Sequence, residues 1–204
     1  MNKPLPRPTD VLCGLPPELF NGLFAGNRTV ALAADQTLFV AGEVGNGCYR
    51  VEEGLLKVSV ASPTGAERIL AILGPGNVVG ELSMISGLPR SASVAAVRDS
   101  KLSFVSQASF DGYARENPAI YRHLMLLLAR RLLATNGALA ATTFLPLRAR
   151  VAASLLSLAE AFGQDVGGGR ILVRQKITQG DLAAMAGLAR ENVSRILKGC
   201  GALS

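Results

Sequence analysis

Between about Val30 and Phe110 the apolar residues come in short runs broken by polar, Gly and Pro positions: Thr37–Val40, Cys48–Val51, Leu55–Val60, Arg68–Ile72, Ala92–Val97 and Lys101–Ser106. Even spacing of this kind, punctuated by Pro63-Thr64-Gly65 and Gly74-Pro75-Gly76, predicts an antiparallel sandwich or roll. After Asn117-Pro118 the period changes. Pro118 suits the first turn of a helix, and Leu124, Leu127, Leu128, Leu132 and Leu139 recur at helical spacing as far as Phe144. A helix of about seven turns with an apolar stripe, and no second helix of similar length, has too little of its own domain to pack on. Pairing with its copy in a dimer would bury the stripe; a helix laid across the β domain is the alternative.

Pro146 ends that helix, and Arg148–Phe162 reads as a new amphipathic one with Val151, Leu155, Leu156 and Leu158 inward. A turn at Gly167-Gly168-Gly169 and a short strand at Ile171–Val173 follow. Thr178 is an N-cap for a helix over Gln179–Ala186, Gly187 makes a turn, and Arg190–Lys198 is a last helix. The pattern is α+β: a mostly β half with a small α-rich domain appended.

Composition narrows the class. The 204 residues are 49% hydrophobic, enough for a packed core, and carry a net charge of +6 from 21 Lys+Arg against 15 Asp+Glu. That balance is compatible with a polyanionic partner and decides nothing alone. Cys13, Cys48 and Cys200 are odd in number, scattered and without C-x-x-C spacing, so neither a disulfide framework nor a zinc site is expected, and a reducing cytosol fits. Met1–Asp10, with Pro4, Pro6 and Pro8, lacks the apolar segment of a signal peptide. The longest uninterrupted apolar run, Leu124–Ala129, is far short of the ~20 residues of a membrane span, so a soluble cytoplasmic protein with no membrane partner is expected.

The stretch richest in chemistry is Gly76 to Val94. A Gly followed by an acid, then nine residues on an Arg with a hydroxyl neighbour, all between two strands, offers what a cyclic ribose phosphate needs. A short turn beginning near Gly80 can aim backbone N–H groups at an anion, Arg90 supplies a planar positive fork for phosphate oxygens, and Glu81 is free to accept from a ribose 2′-hydroxyl. Taken singly, a Glu–Arg pair at this spacing is usually surface charge worth ~0–1 kcal/mol. As a connected string, Gly80-Glu81-Leu82 through Pro89-Arg90-Ser91-Ala92 resembles the phosphate-binding cassette of cyclic-nucleotide-binding domains.

The resemblance extends to the Crp/Fnr family of regulators over about residues 20 to 198. It implies three parts: a cyclic-nucleotide-binding β-roll over 1–117, a dimerisation helix over 118–145, and a helix-turn-helix domain over 146–204. Carried over by position, Gly80 and Glu81 would meet the ribose and Arg90 and Ser91 the cyclic phosphate, with Leu82 also among the ligand-binding residues. Ala129-Arg130-Arg131-Leu132 looks like the family's Ala-Arg-Arg-Leu run and would bring Arg131 near Glu81. Thr135 and Asn136 stand where cyclic-AMP-binding members carry a Thr and a Ser that contact adenine; the competing fate of Thr135 is a bond to its own helix backbone. Asn136 in place of Ser leaves the base preference less defined, and Ser91 beside Arg90 does not exclude cyclic GMP. Gly137 weakens the helix by ~1 kcal/mol relative to Ala, which would make it responsive to ligand.

Ile177 to Leu197 has the spacing of a helix-turn-helix, with Leu182, Met185, Val193 and Ile196 joining the two helices and Arg190, Glu191, Ser194 and Arg195 outward. Arg pairs bidentately with guanine and Glu accepts from cytosine N4, so these side chains form a reader of G·C pairs, with Thr178 and Gln179 beside them. The set resembles the family's Arg-Glu-x-x-x-Arg run, which implies a TGTGA- or TTGA-like half-site. Relatives continue into a two-stranded wing; here Lys198 is followed by only six residues, two of them the glycines Gly199 and Gly201, so the helix is expected to end there and the wing to be missing.

The leading expectation is therefore a regulator gated by cyclic AMP or cyclic GMP. It acts as a homodimer on double-stranded operator DNA, and the resemblance adds RNA polymerase as a further partner. The second is a cyclic-nucleotide sensor or interaction module whose short head has weak or no DNA binding. Operator binding would separate the two. Three scattered cysteines cannot hold an iron–sulfur cluster, and His123, the only histidine, is a poor basis for haem. No metal site is expected, and with no Cys–His pair, carboxylate dyad or Walker-type loop neither is an enzyme.

Overall fold

The computed structural model describes residues 17–201. The Pro-rich start Met1–Asp10, Cys13 and the tail Ala202–Ser204 lie outside the described residues, as does the side chain of Cys200.

Each run read from the alternation falls on a strand, but two pairs of runs merge. Cys48–Val51 and Leu55–Val60 belong to one strand, β3 (Gly47–Ala61), which pairs along its length with one long partner, β6 (Ser93–Ser106). The apparent breaks are irregularities around Glu53 and Leu55. Gly54 has φ 100°, a Cβ there would stand 2.5 Å from Ser100 Cα, and Leu55 N–H is satisfied by Ser100 Oγ at 3.0 Å. A bulge of this kind bends a strand without ending it. β1 (Thr29–Leu32) and β2 (Thr37–Phe39) pair with β6, while β4 (Glu67–Leu73) and β5 (Val78–Val79) pair with β3, all antiparallel. The sheet closes on Leu32, Phe39, Val51, Leu56, Val94 and Leu102. A second cluster joins α1 (Pro17–Phe24), α3 (Gln107–Glu116) and the start of α4 to the sheet through Leu23, Phe24, Val105, Phe110 and Ile120.

α4 (Ala119–Phe144) has the predicted limits. Its first turns pack on the roll through Ile120 and Leu127, whereas Leu132, Leu139 and Phe144 are 62%, 66% and 80% exposed in the single chain. The helix thus lies across the β domain only over its first turns, and the rest of its apolar stripe is uncovered in the single chain. By length and composition it is also apolar enough to cross a bilayer, which the uninterrupted run did not reveal, but its Arg131 is tied to the roll as described below.

The remaining elements are α5 (Leu147–Phe162), the hairpin β7 (Gly163–Asp165) and β8 (Ile171–Val173), α6 (Gln179–Ala186) and α7 (Arg190–Gly201). Two expectations need correction. In α5 the buried positions are Val151, Ser154 and Leu158, spaced three and four apart; Leu155 at the edge of that stripe and Leu156 off it are 43% and 62% exposed. α7 does not stop at Gly199 but runs to Gly201, since a glycine costs a helix only about 1 kcal/mol and does not forbid it. Thr178 caps α6 as predicted, in a reciprocal box with Asp181, and Gly187 closes it at φ 62°.

The head is not separate from the roll. Leu55, Ile69 and Ile72 of the sheet share one core with Val151, Leu158, Leu182, Ala183, Ala186 and Val193. Within the head, Arg150 of α5 donates to Ala186 O (Nε 3.0 Å, Nη2 2.7 Å) and to Gly187 O (2.7 Å) at the end of α6.

Candidate functional site

The phosphate-type residues converge where β3, β5 and β6 meet α2 (Glu81–Ser86) and α4. Gly80 is the N-cap of α2 in the left-handed conformation, φ 85° and ψ 2°, so the turn expected at that position is present. Arg90 is only 6% exposed. Its Nη1 donates to Gly47 O (3.0 Å), Gly80 O (2.7 Å) and Ser83 Oγ (2.8 Å), and its guanidinium lies 4.2 Å from the centre of the Phe39 ring. Burial pulls its pKa below the ordinary arginine value; Tyr49, Cys48, Glu81 and Glu43 oppose the shift, and the group stays a cation. All three bonds use one nitrogen, so the Nε–Nη2 edge has no acceptor among the described residues.

Glu81 is 1% exposed and accepts through Oε1 from Arg131 Nη1, while Arg131 Nη2 donates to Val78 O. The predicted proximity of Arg131 and Glu81 is thus realised, across 50 residues of sequence. Oε2 of Glu81 is buried with no partner among the described residues. An orphaned carboxylate oxygen and an open guanidinium edge within one site fit a ligand carrying a hydroxyl donor and anionic oxygens. Cys48 lies behind them, its thiol pushed up to about 12 by burial and by Glu81, against the opposing influence of Arg90.

The other predicted residues are less engaged. Leu82 is 44% exposed and Ser91 is exposed. Thr135 Oγ1 donates to Arg131 O at 2.9 Å, the backbone bond weighed above, and Asn136 is exposed. Phe39, Gly45, Gly47 and Ser83 build the Arg90 pocket yet form no local motif; only the pairing of distant strands brings them together. A separate cleft of about 420 Å³ lies elsewhere, on the face bearing Arg28, Leu38, Asn46, Tyr49 and Phe104.

On the head, Arg190, Glu191, Arg195, Thr178 and Gln179 are exposed and Ser194 is half-buried. Val193 is fully buried beneath them, with Leu182 also buried and Met185 and Ile196 packed alongside, so the inward set predicted for the two helices is the observed one. Thr178 Oγ1 is occupied by the cap, donating to Asp181 Oδ2 at 2.7 Å.

Residues 29–117 match the cyclic nucleotide-binding domain family and residues 149–200 the Crp-like helix-turn-helix domain family. The chain is 32% identical to the CRP-like cAMP-activated global transcriptional regulator of Mycobacterium tuberculosis, over 86% of this chain and 84% of that one. The chain belongs to the Crp/Fnr family. Its Crp/Fnr relatives include the cyclic AMP receptor protein of Thermus thermophilus, 35% identical over 88% of this chain and 83% of that one. The crystal structure of the Thermus thermophilus catabolite activator protein superposes with a TM-score of 0.59 at 32% identity, covering 94% and 86% of the two chains. The c-di-GMP-responsive regulator CLP of Xanthomonas campestris superposes with a TM-score of 0.76 over 91% of each chain, and at 20% identity shares the fold alone. This Crp/Fnr protein is a cyclic-nucleotide-binding, DNA-binding transcription regulator and not an enzyme.

Proposed function

We propose that the ligand is cyclic AMP and that the regulator works in the cytoplasm as a homodimer on a palindromic operator, with RNA polymerase as a further partner. The parts are a roll over 1–117, a dimerisation helix over 118–145 and a DNA-reading domain over 146–204. The observation that carries this reading is the pairing of Glu81 Oε2, buried without a partner, with the unbonded Nε–Nη2 edge of Arg90. Arg90 would take the phosphate with Ser91, Glu81 the ribose hydroxyl, and Gly80 and Leu82 the adjoining backbone. Thr135 and Asn136 lie one turn beyond Arg131, in reach of a base held beside α4; the names of the Mycobacterium and Thermus relatives favour adenine over guanine.

Arg131 links the two halves of the device. Its guanidinium joins Glu81 and Val78 of the roll to α4, so a ligand that competes for or reinforces Glu81 biases the position of the helix. The exposed Leu132, Leu139 and Phe144 stripe is what a second α4 would cover. Arg190, Glu191, Ser194 and Arg195, with Thr178 and Gln179 at the head of α6, are the residues proposed to meet DNA.

Calorimetric titration with cyclic AMP and cyclic GMP tests the ligand, with Arg90→Leu as the control and its fold checked by circular dichroism. Saturable binding tighter for cyclic AMP and lost in folded Arg90→Leu is expected. Binding that survives the substitution would remove Arg90 from the site, and binding of neither nucleotide would sink the ligand assignment. Sedimentation of the same sample reads the dimer directly.

A further inference from the structure

We infer that Phe39 is a positioning residue for Arg90, holding the guanidinium plane so that its free edge is already aimed before ligand arrives. The inference rests on the reading of Arg90 as the phosphate-binding group. Hydrogen bonds alone leave the fork underdetermined, because all three gather on Nη1. A guanidinium anchored at one nitrogen can still pivot there and swing its Nε–Nη2 edge. What blocks the pivot is contact on the faces of the plane.

Cζ lies over the Phe39 ring, 4.2 Å from its centre. Two glycines also crowd the group without side chains of their own: a Cβ at Gly45 would lie 2.6 Å from Cζ, and one at Gly80 would collide with Nη1. The ring itself is fixed. β2 meets β6 at Phe39–Val94 after a register shift, and paired backbone bonds, Gly42 N to Arg90 O and Arg90 N to Glu43 O, both 2.8 Å, tie the segment after Phe39 to Arg90. Behind it stand Tyr49, centroids 6.2 Å apart, and then Phe104, 4.9 Å from Tyr49. Phe39 is 7% exposed, so its attraction for the cation acts in a desolvated setting where such contacts are strong.

Packing and cation binding are separable by replacing Phe39 with 4-fluoro- and 3,4,5-trifluorophenylalanine, which keep the ring's shape and drain its face of negative potential. Cyclic AMP and cyclic GMP affinities are measured by calorimetry on the full chain, with thermal midpoints alongside and Phe39→Leu as a ring-free variant. Affinity for whichever nucleotide binds is expected to fall stepwise with fluorination, roughly three- to thirtyfold at the trifluoro ring, at a nearly constant midpoint. Phe39→Leu should lose at least as much. Unchanged affinity across the fluorinated series, in a protein that binds nucleotide, overturns the role of Phe39 and leaves the phosphate role of Arg90 standing. If the unsubstituted protein binds neither nucleotide, both fall together.

Discussion

In the roll, Arg90 and Glu81 are 6% and 1% exposed and bonded to backbone carbonyls, a serine and Arg131; on the head, Arg190, Glu191 and Arg195 stand in solvent with no side-chain partner among the described residues. Both regions are charged, but a charge taken out of water must be fixed by its surroundings, and a charge left in water can wait for a polyanion. The first arrangement suits a small ligand recognised atom by atom. The second suits a duplex whose phosphates draw the protein in and whose base edges are read afterwards. It follows that substitutions in the roll should change stability and binding together, while those on the head should change binding alone.

Arg131→Ala is the severest test of that contrast. It leaves a buried carboxylate unpaired, which should cost on the order of 3 kcal/mol in denaturant unfolding and loosen cyclic-nucleotide binding in the same protein. A variant of unchanged stability would mean that Glu81 finds another partner. Arg195→Ala should lower affinity for a G·C-containing operator by about 1–3 kcal/mol in fluorescence anisotropy, with an unfolding midpoint indistinguishable from the parent. A falling midpoint there would blur the distinction.

The smallest effect near neutrality belongs to Cys48. Its folded pKa, pushed up to about 12, lies above the unfolded value, so the folded state keeps the proton longer. The stability this gives is complete below the unfolded pKa and is lost as pH rises from there through about 12. Alkylation of Cys48 by iodoacetamide, followed by peptide mass spectrometry, should stay negligible at pH values where an exposed thiol reacts within minutes.

The elements whose signal is local could be read from the chain. The α4 limits come from Pro118 and Pro146, the Thr178 cap from its spacing to Asp181, and the inward face of the head from Leu182, Met185, Val193 and Ile196. The phosphate segment was legible because its groups are close in sequence. Long-range features were not. The merging of four runs into β3 and β6 depends on Gly54 meeting Ser100, and the Arg90 box depends on Phe39, Gly45, Gly47 and Ser83 arriving from three elements and a loop. The apolar face that the sequence predicts for α5 is too broad because its leucines extend beyond the stripe of Val151, Ser154 and Leu158 that is buried.

The core shared by Leu55, Ile69 and Ile72 with the helices of the head makes the molecule one melting unit in this arrangement, not two domains on a string. A head cut out on its own would lose the cover that Leu55, Ile69 and Ile72 give this cluster and present a new apolar patch to water, which invites aggregation. Any motion that swings the reading helix to a new angle away from the sheet must first unzip this seam along Leu55, Ile69 and Ile72.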